Sequence, residues 1–310
     1  DSAFALSLVY WFDRFFPKIP IWYPLQGMGV SLFYSYPMGT TFLIIALERL
    51  LNLSTVEVFR ILSFLAFPLT ALGIYFFAWV RIKRQTVALI AAVFFLLSQA
   101  TWLFQALHGI FAQSFSLIFV APTLLFFDLF LERVLKGEGK KLSARIFFVA
   151  AVVLMGTTFI FHVVTATMIS FTLIFWSLLR LWFSSKKGFN IKILFKRGLV
   201  SLVPSVSIIV LGAMLVAFWL IPFQSYTSLA NREGLNTSSL TQIQEQSLKL
   251  PSLLGVGVLG EGIYRYDFFF FATPVLIFFA LGTVVALARR KKVVLLLAVI
   301  ALFFVLLTTI

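Results

Sequence analysis

Long apolar runs alternate with short clusters of charged residues along this chain. A helix needs about 20 mostly apolar residues to cross the hydrocarbon core of a bilayer, and eight runs approach or reach that length. They predict an all-α polytopic membrane protein. The predicted spans are Glu57–Val80, Thr86–Phe104, Ile110–Leu131, Ile146–Phe161, Val163–Phe183, Gly198–Ile221, Phe268–Ala288 and Val293–Ile310. Two connections between them are very short, at His108 and at His162.

Two shorter apolar stretches precede the spans. Ser2–Phe16 is interrupted by Asp13 and Arg14, and Pro37–Leu51 carries Glu48 and Arg49. An amphipathic stretch of this length is typical of a helix that lies at the membrane surface. The proline-rich segment between them is not expected to be helical. We therefore predict that residues 1–56 form a structured first loop with surface-lying helices.

The same pattern predicts one membrane domain rather than several domains. Its parts are the first loop at 1–56, a bundle of six spans at 57–221, a second polar loop at 222–267 and two further spans at 268–310. The chain starts at Asp1 without a methionine, and Ile310 ends inside an apolar run. We therefore expect it to be an excerpt of a longer protein.

Composition excludes a soluble protein. The chain is 61% hydrophobic and only 12% charged, whereas ordinary globular domains carry about 25% charged residues. A soluble fold of 35.0 kDa cannot hide that much apolar surface from water. There are no cysteines, which excludes disulfides and thiolate metal sites.

The net charge of +14 is a topology signal. Eighteen of the 25 basic residues follow the first, third, fifth and seventh predicted spans, so they share one side of the membrane. The positive-inside rule makes that side cytoplasmic. The opposite side is close to neutral, which removes the nucleic-acid partner that such a charge would otherwise suggest. If Pro37–Leu51 crossed the membrane, every basic loop would lie on the outer side. This stretch is therefore predicted to stay on the outer surface.

The first loop resembles a known family. Its run FFPKIPIWYPLQGMGVSLFYSYPMGTTFLIIAL resembles the GT-C superfamily of membrane glycosyltransferases, and more narrowly the prokaryotic membrane proteins labelled 6-pyruvoyl-tetrahydropterin synthase-related. The segments Leu107–Pro122 and Phe161–Thr167 look like later hairpins of that family. The positions that carry the resemblance in the loop are Asp1, Pro20, Trp22, Pro24, Gly29, Tyr36, Pro37 and Arg60.

This resemblance implies an enzyme of hexosyltransferase type in the plasma membrane of a prokaryote, active on the extracytoplasmic face. It would take a sugar from a polyprenyl-phosphate carrier and pass it to a lipid, protein or glycan acceptor. An acid in the first loop would serve as general base or metal ligand, which by position is Asp1, or less well Asp13. The chain departs from the family pattern because it contains no Asp-x-Asp or Glu-x-Asp pair.

Several polar residues on the outer side suit the phosphate of such a donor. Arg14 and Arg265 offer guanidinium donors, which match phosphate geometry. His108 and His162 lie at membrane depth, where polar groups are commonly functional. Each has an ordinary alternative: a solvated face for Arg14, an interface anchor for Arg265, and interhelical hydrogen bonds for the histidines.

Other candidates concern the acceptor and a metal. Glu261, flanked by glycines, and Glu233 could bind an acceptor, although solvated loop charge explains them as well. A divalent metal held by the two histidines would need a carboxylate such as Asp1. Asp1 could equally be the N-cap of the helix predicted at Ser2–Phe16.

One acidic pair lies on the cytoplasmic side. Asp128 and Glu132 are one helical turn apart, and we expect them to pair with Arg133 and Lys136. A proton relay is the alternative.

Three functions remain open on the sequence alone. The resemblance favours a glycosyltransferase whose partners are membrane lipids and a lipid-linked sugar donor. Many spans and membrane-depth histidines would also fit a lipid or solute transporter or flippase. The missing acidic pair would fit a non-catalytic membrane protein descended from such enzymes.

Overall fold

The protein is an integral membrane protein, and the part of it that the structure describes is built from helices. The computed structural model describes residues 2–20, 22–24, 38–97, 111–184 and 191–232, with the short pieces 282–284, 295 and 298–299. The elements of these residues are helices, numbered here in chain order. They are α1 (Ser2–Phe15), α2 (Gly39–Leu51), α3 (Thr55–Ile82), α4 (Gln85–Leu96), α5 (Phe111–Leu135), α6 (Leu142–Phe161), α7 (Val163–Ser184), α8 (Ile191–Leu215) and α9 (Ala217–Arg232).

Four of the eight predicted spans are confirmed as long apolar helices. Within the described ranges, α3, α5, α6 and α7 are long and apolar enough to cross a membrane, and α8 with α9 adds a fifth if that bent pair counts as one span. The predicted span Thr86–Phe104 is described only as far as the short helix α4. The predicted spans Phe268–Ala288 and Val293–Ile310 fall almost entirely outside the described residues.

The prediction of one continuous span at Gly198–Ile221 is wrong. Helix α8 ends at Leu215, and the chain bends by 86° before α9. The bend is a tight turn in which the Val216 N–H donates to the Ala213 carbonyl, while the Val216 carbonyl accepts from the first turn of α9. It allows Trp219 to be fully buried at the end of the bundle. Because apolar residues continue through the turn, hydropathy alone does not reveal it.

Local capping sets the start of α3 two residues before the predicted Glu57. The Ser54 hydroxyl accepts a hydrogen bond from the Glu57 N–H, and the Glu57 carboxylate accepts one from the Ser54 N–H at 2.8 Å. This capping box satisfies N–H groups that have no partner inside the helix. Just before it, Asn52 closes α2 in the left-handed conformation, with φ of 53°.

Helix α5 lies at the centre of the bundle, in contact with α3, α6, α7 and α8. Small residues allow the closest approaches, as is usual between helices in membranes. A Cβ atom on Gly73 would lie 3.2 Å from Pro122 Cδ. Between α6 and α8, a Cβ on Gly212 would lie 2.9 Å from Met155 Cβ and 3.1 Å from the Gly156 nitrogen. The two backbones therefore touch at this crossing.

The two ends of the bundle differ in chemistry. We call the end that carries Arg81, Lys140, Lys141, Arg145 and Arg180 the basic end, and the opposite end, where α6 meets α7, the His162 end. Each end has its own set of buried residues. Those near the middle and the basic end include Phe77, Phe127, Leu131, Met155 and Trp176, and those near the His162 end include Leu8, Phe12, Ile44, Phe111, Phe161 and Trp219.

Helices α1 and α2 are present where the first loop predicts them, but they do more than lie on the surface. Leu8 and Val9 of α1 are fully buried, as is most of the first half of α2. A Cβ on Gly39 would lie 2.7 Å from Phe161 Cδ2, so the start of α2 rests directly on the α6–α7 connection. Helices α1 and α2 are thus part of the packed core at the His162 end.

Gly212→Val is expected to destabilise the protein by about 1–3 kcal/mol, because the added carbons must displace Met155 and the backbone of α6. Thermal unfolding in detergent measures this change. Met214→Val on the same helix is the matched control, since Met214 is 63% exposed and should change stability little. Equal stability of the two variants would contradict the close crossing.

Candidate functional site

The structure describes two of the seven predicted site residues, Arg14 and His162. No hydrogen bond or ion pair joins these two among the described residues. The other five lie outside the described residues and their predictions stay untested: Asp1, His108, Glu233, Glu261 and Arg265.

His162 is the whole connection between α6 and α7. The predicted tight hairpin is confirmed, because α6 ends at Phe161 and α7 starts at Val163. The Thr165 backbone N–H donates to His162 Nδ1 at 3.2 Å, and the Thr165 hydroxyl lies 2.8 Å from the same nitrogen. Ser116 Oγ of α5 lies 2.9 Å from that hydroxyl. The imidazole therefore caps α7, and the Thr165 hydroxyl connects α7 to α5.

This geometry assigns the tautomer of the ring. A nitrogen that accepts a hydrogen bond from a backbone N–H carries no proton, so the proton of the neutral imidazole is on Nε2. Within the described part of the chain, His162 Nε2 has no hydrogen-bond partner. The predicted interhelical hydrogen bond of His162 is not seen among the described residues, because both contacts of Nδ1 are to Thr165 in the first turn of α7. Nε2 is the nitrogen that the predicted binding role would use.

Trp219 supplies a second donor at the His162 end. Its side chain is fully buried and stacks on Phe223, with ring centroids 4.8 Å apart. Its Nε1–H is buried and has no partner in the described ranges. A buried N–H without an acceptor is uncommon in native structures. Hydropathy does not reveal this donor, because Trp219 lies inside an apolar run.

Arg14 is exposed at the end of α1, as a solvated polar face predicts. Asp13, the residue before it, is also partly exposed, and its carboxylate pairs with Arg49 of α2 at 2.6 Å. The Arg49 guanidinium also lies over the Phe16 ring, 4.2 Å from its centroid. This contact joins the two loop helices and occupies the carboxylate of Asp13. Asp13 is therefore a poorer candidate than Asp1 for the carboxylate that would serve as general base or metal ligand.

The prediction for Asp128 is wrong. Asp128 is fully buried and pairs with neither Arg133 nor Lys136. Its carboxylate accepts from Arg81 of α3 at 2.6 Å, and from Arg180 of α7 at 2.7 and 2.8 Å. The Trp176 Nε1–H donates to it at 2.9 Å. The partners come from distant helices, because the Asp128 side of α5 faces the bundle interior.

The predicted ion pair of Glu132 with Lys136 is confirmed. Glu132 pairs with Lys136 at 2.7 Å, as its spacing of four residues predicts, and also with Arg81 at 2.9 Å. Arg133 pairs instead with Glu138 in the following turn. A hydrogen bond from Lys141 is the largest cause that lowers the pKa of Glu138, and Arg133 adds to it. The carboxylates at the basic end are thus matched by cations.

The described residues hold no group of three or more His, Cys, Asp or Glu side chains that could bind a metal ion. No protein-family model, no curated protein and no solved structure matches this chain. The functional argument therefore rests on the residues themselves.

Asp128→Asn is expected to destabilise the protein by roughly 3–5 kcal/mol, because it removes the fully buried carboxylate that pairs with both Arg81 and Arg180. Thermal unfolding in detergent is the measurement. Glu138→Gln is the matched control, since it removes a partly exposed loop pair that contributes at most about 1 kcal/mol. If both variants lose the same stability, the buried cluster does not hold the helices together.

His162→Ala is expected to lower stability by about 1 kcal/mol through loss of the cap on α7, whereas His162→Asn should retain most of it. Asparagine keeps a side-chain acceptor for the Thr165 N–H. The two melting temperatures, compared with that of the unchanged protein, test this. A His162→Asn variant as unstable as His162→Ala would contradict the capping role.

Proposed function

We propose that this chain is the membrane part of a glycosyltransferase that uses a polyprenyl-phosphate-linked sugar at the His162 end. The observation that carries the proposal is the packing of the two helices of the first loop. The segment with the family-like landmarks is flanked by α1 and α2, and both helices are packed into the bundle. Such a loop is suited to hold catalytic groups at a fixed position above the spans.

Charge distribution supports the placement of the chemistry. The basic end is expected to be cytoplasmic by the positive-inside rule. The His162 end then faces outward, on the side where the resemblance places sugar transfer. The described carboxylates at the basic end are paired with cations, whereas the described N–H donors of His162 and Trp219 lie at the other end with no partner among the described residues.

The proposed reaction needs a base and a group that stabilises phosphate. The acceptor oxygen attacks the anomeric carbon of the sugar, its proton passes to a carboxylate, and the bond to the carrier phosphate breaks. Asp1 is the proposed base. His162 Nε2–H, His108, Arg14 and Arg265 are the proposed donors to the phosphate, and Glu233 and Glu261 the proposed contacts to the acceptor. A neutral N–H donor suits a phosphate oxygen as negative charge accumulates there.

One observation favours transport as a second function. The 86° break between α8 and α9 resembles the discontinuous helices of transporters. In transporters such breaks lie near the bilayer midplane. Here the break brings Trp219 into the apolar cluster of the His162 end, which also contains Phe161 at the end of α6. A break at the end of the bundle is more consistent with a helix that packs along the end of the bundle than with a transport pathway.

The glycosyltransferase proposal predicts transfer of label from a polyprenyl-phosphate-linked radioactive hexose, followed into the lipid, protein and glycan fractions of membranes containing the full-length protein. His162→Asn should lower the transfer rate about ten- to a hundredfold, because it removes one hydrogen bond to a charged group. Asp1→Asn should abolish transfer.

The asparagine variant separates the two roles of His162, since it keeps the cap on α7 and lacks the imidazole Nε2. Transfer at the unchanged rate in His162→Asn would leave His162 a structural residue only. Flux of a solute or lipid across proteoliposomes, with no sugar transfer, would overturn the proposal in favour of a transporter.

A further inference from the structure

An apolar cleft lies between α5, α6 and α8 toward the basic end. Its volume is about 490 Å³, which falls within the range of small-molecule sites. The walls are almost entirely apolar, and one charged side chain, Arg145, lies among them. The apolar wall residues are Phe130, Val134, Phe148, Val203 and Pro204.

The cleft is open to the surroundings of the bundle. Val203 in its wall is 54% exposed, and Val206 and Val210 of the same helix are also exposed. In a bilayer this exposed face of α8 meets hydrocarbon, where water is a poor occupant of an apolar groove. A lipid acyl chain is the apolar molecule present at the highest concentration there.

Arg145 gives the cleft a charged mouth. It lies in the first turn of α6, is exposed, and makes no ion pair within the described ranges. The acid nearest in sequence, Glu138, is occupied by Arg133 and Lys141. The mouth therefore has an unmatched positive charge next to an apolar groove. That combination complements a lipid with an anionic headgroup.

We propose that this cleft binds an anionic glycerophospholipid of the leaflet at the basic end. One acyl chain lies along Phe130, Phe148 and Val203, and the phosphate contacts the Arg145 guanidinium. Guanidinium binds phosphate through two parallel hydrogen bonds, which ammonium cannot reproduce. This site is separate from the proposed sugar-transfer chemistry at the opposite end of the bundle, and it does not depend on that function.

Native mass spectrometry of the purified full-length protein tests the headgroup contact. The probes are phosphatidylglycerol and phosphatidylcholine with identical chains, added at equal concentration in detergent. The unchanged protein should bind phosphatidylglycerol in preference, and Arg145→Gln should reduce that preference roughly fivefold. Arg145→Lys should retain part of it. Arg84→Gln is the matched control, because Arg84 is exposed at the same end and does not line the cleft.

A second pair of variants tests the acyl chain. Ser207 also lines the cleft, so Ser207→Phe should fill it and reduce binding of both lipids. Val206→Phe, one residue away on the exposed face of α8, should leave binding unchanged.

Three results would overturn the proposal. The first is equal binding of the two lipids by the unchanged protein. The second is an Arg84→Gln variant that loses as much preference as Arg145→Gln, which would indicate diffuse charge attraction. The third is displacement of phosphatidylglycerol by a polyprenyl phosphate at a much lower concentration, which would assign the cleft to a different lipid.

Discussion

The arrangement of the spanning helices depends on the ion pairs of the Asp128 carboxylate. This carboxylate is fully buried, and its partners Arg81, Trp176 and Arg180 come from α3 and α7. A charge in such surroundings is tolerated only when it is paired and hydrogen-bonded. Sliding any of these three helices by one turn would leave a buried ion without its partner. The cluster therefore fixes the relative depth and rotation of α3, α5 and α7, while apolar contacts provide most of the packing.

The opposite end is held together by a different kind of contact. There α1, α2 and α9 meet the spanning helices in one apolar cluster, to which they contribute Leu8, Ile44 and Trp219. Within this cluster the rings of Phe115 of α5 and Phe161 of α6 stack 5.3 Å apart. Apolar packing leaves polar groups free to face a ligand, whereas the charges of the basic end are largely occupied by one another. The chain thus separates the groups that determine its packing from the groups that are available for chemistry.

The sequence predicted those features that depend on single helices. Hydropathy located α3, α5, α6 and α7, and charge and length together located α1 and α2. The four-residue spacing of Glu132 and Lys136 predicted their pair. Features that depend on which helix faces meet were not accessible: the partners of Asp128, the burial of α1 and the bend at Val216. The cap of α7 by His162 could have been predicted, because His162 lies three residues before Thr165 at a helix start, which is the spacing of an N-cap. The residue types alone did not single it out.

The one-residue connection at His162 has a consequence for how the protein enters the membrane. No charged residue lies between Arg145 and Arg180, so carrying this turn across the bilayer moves only neutral side chains. The positive-inside rule predicts that the basic residues that flank the pair stay on the side of synthesis. Helices α6 and α7 are therefore suited to insert together as one helical hairpin, before Arg180 meets Asp128. On that prediction, their orientation is set by charges that do not cross the membrane.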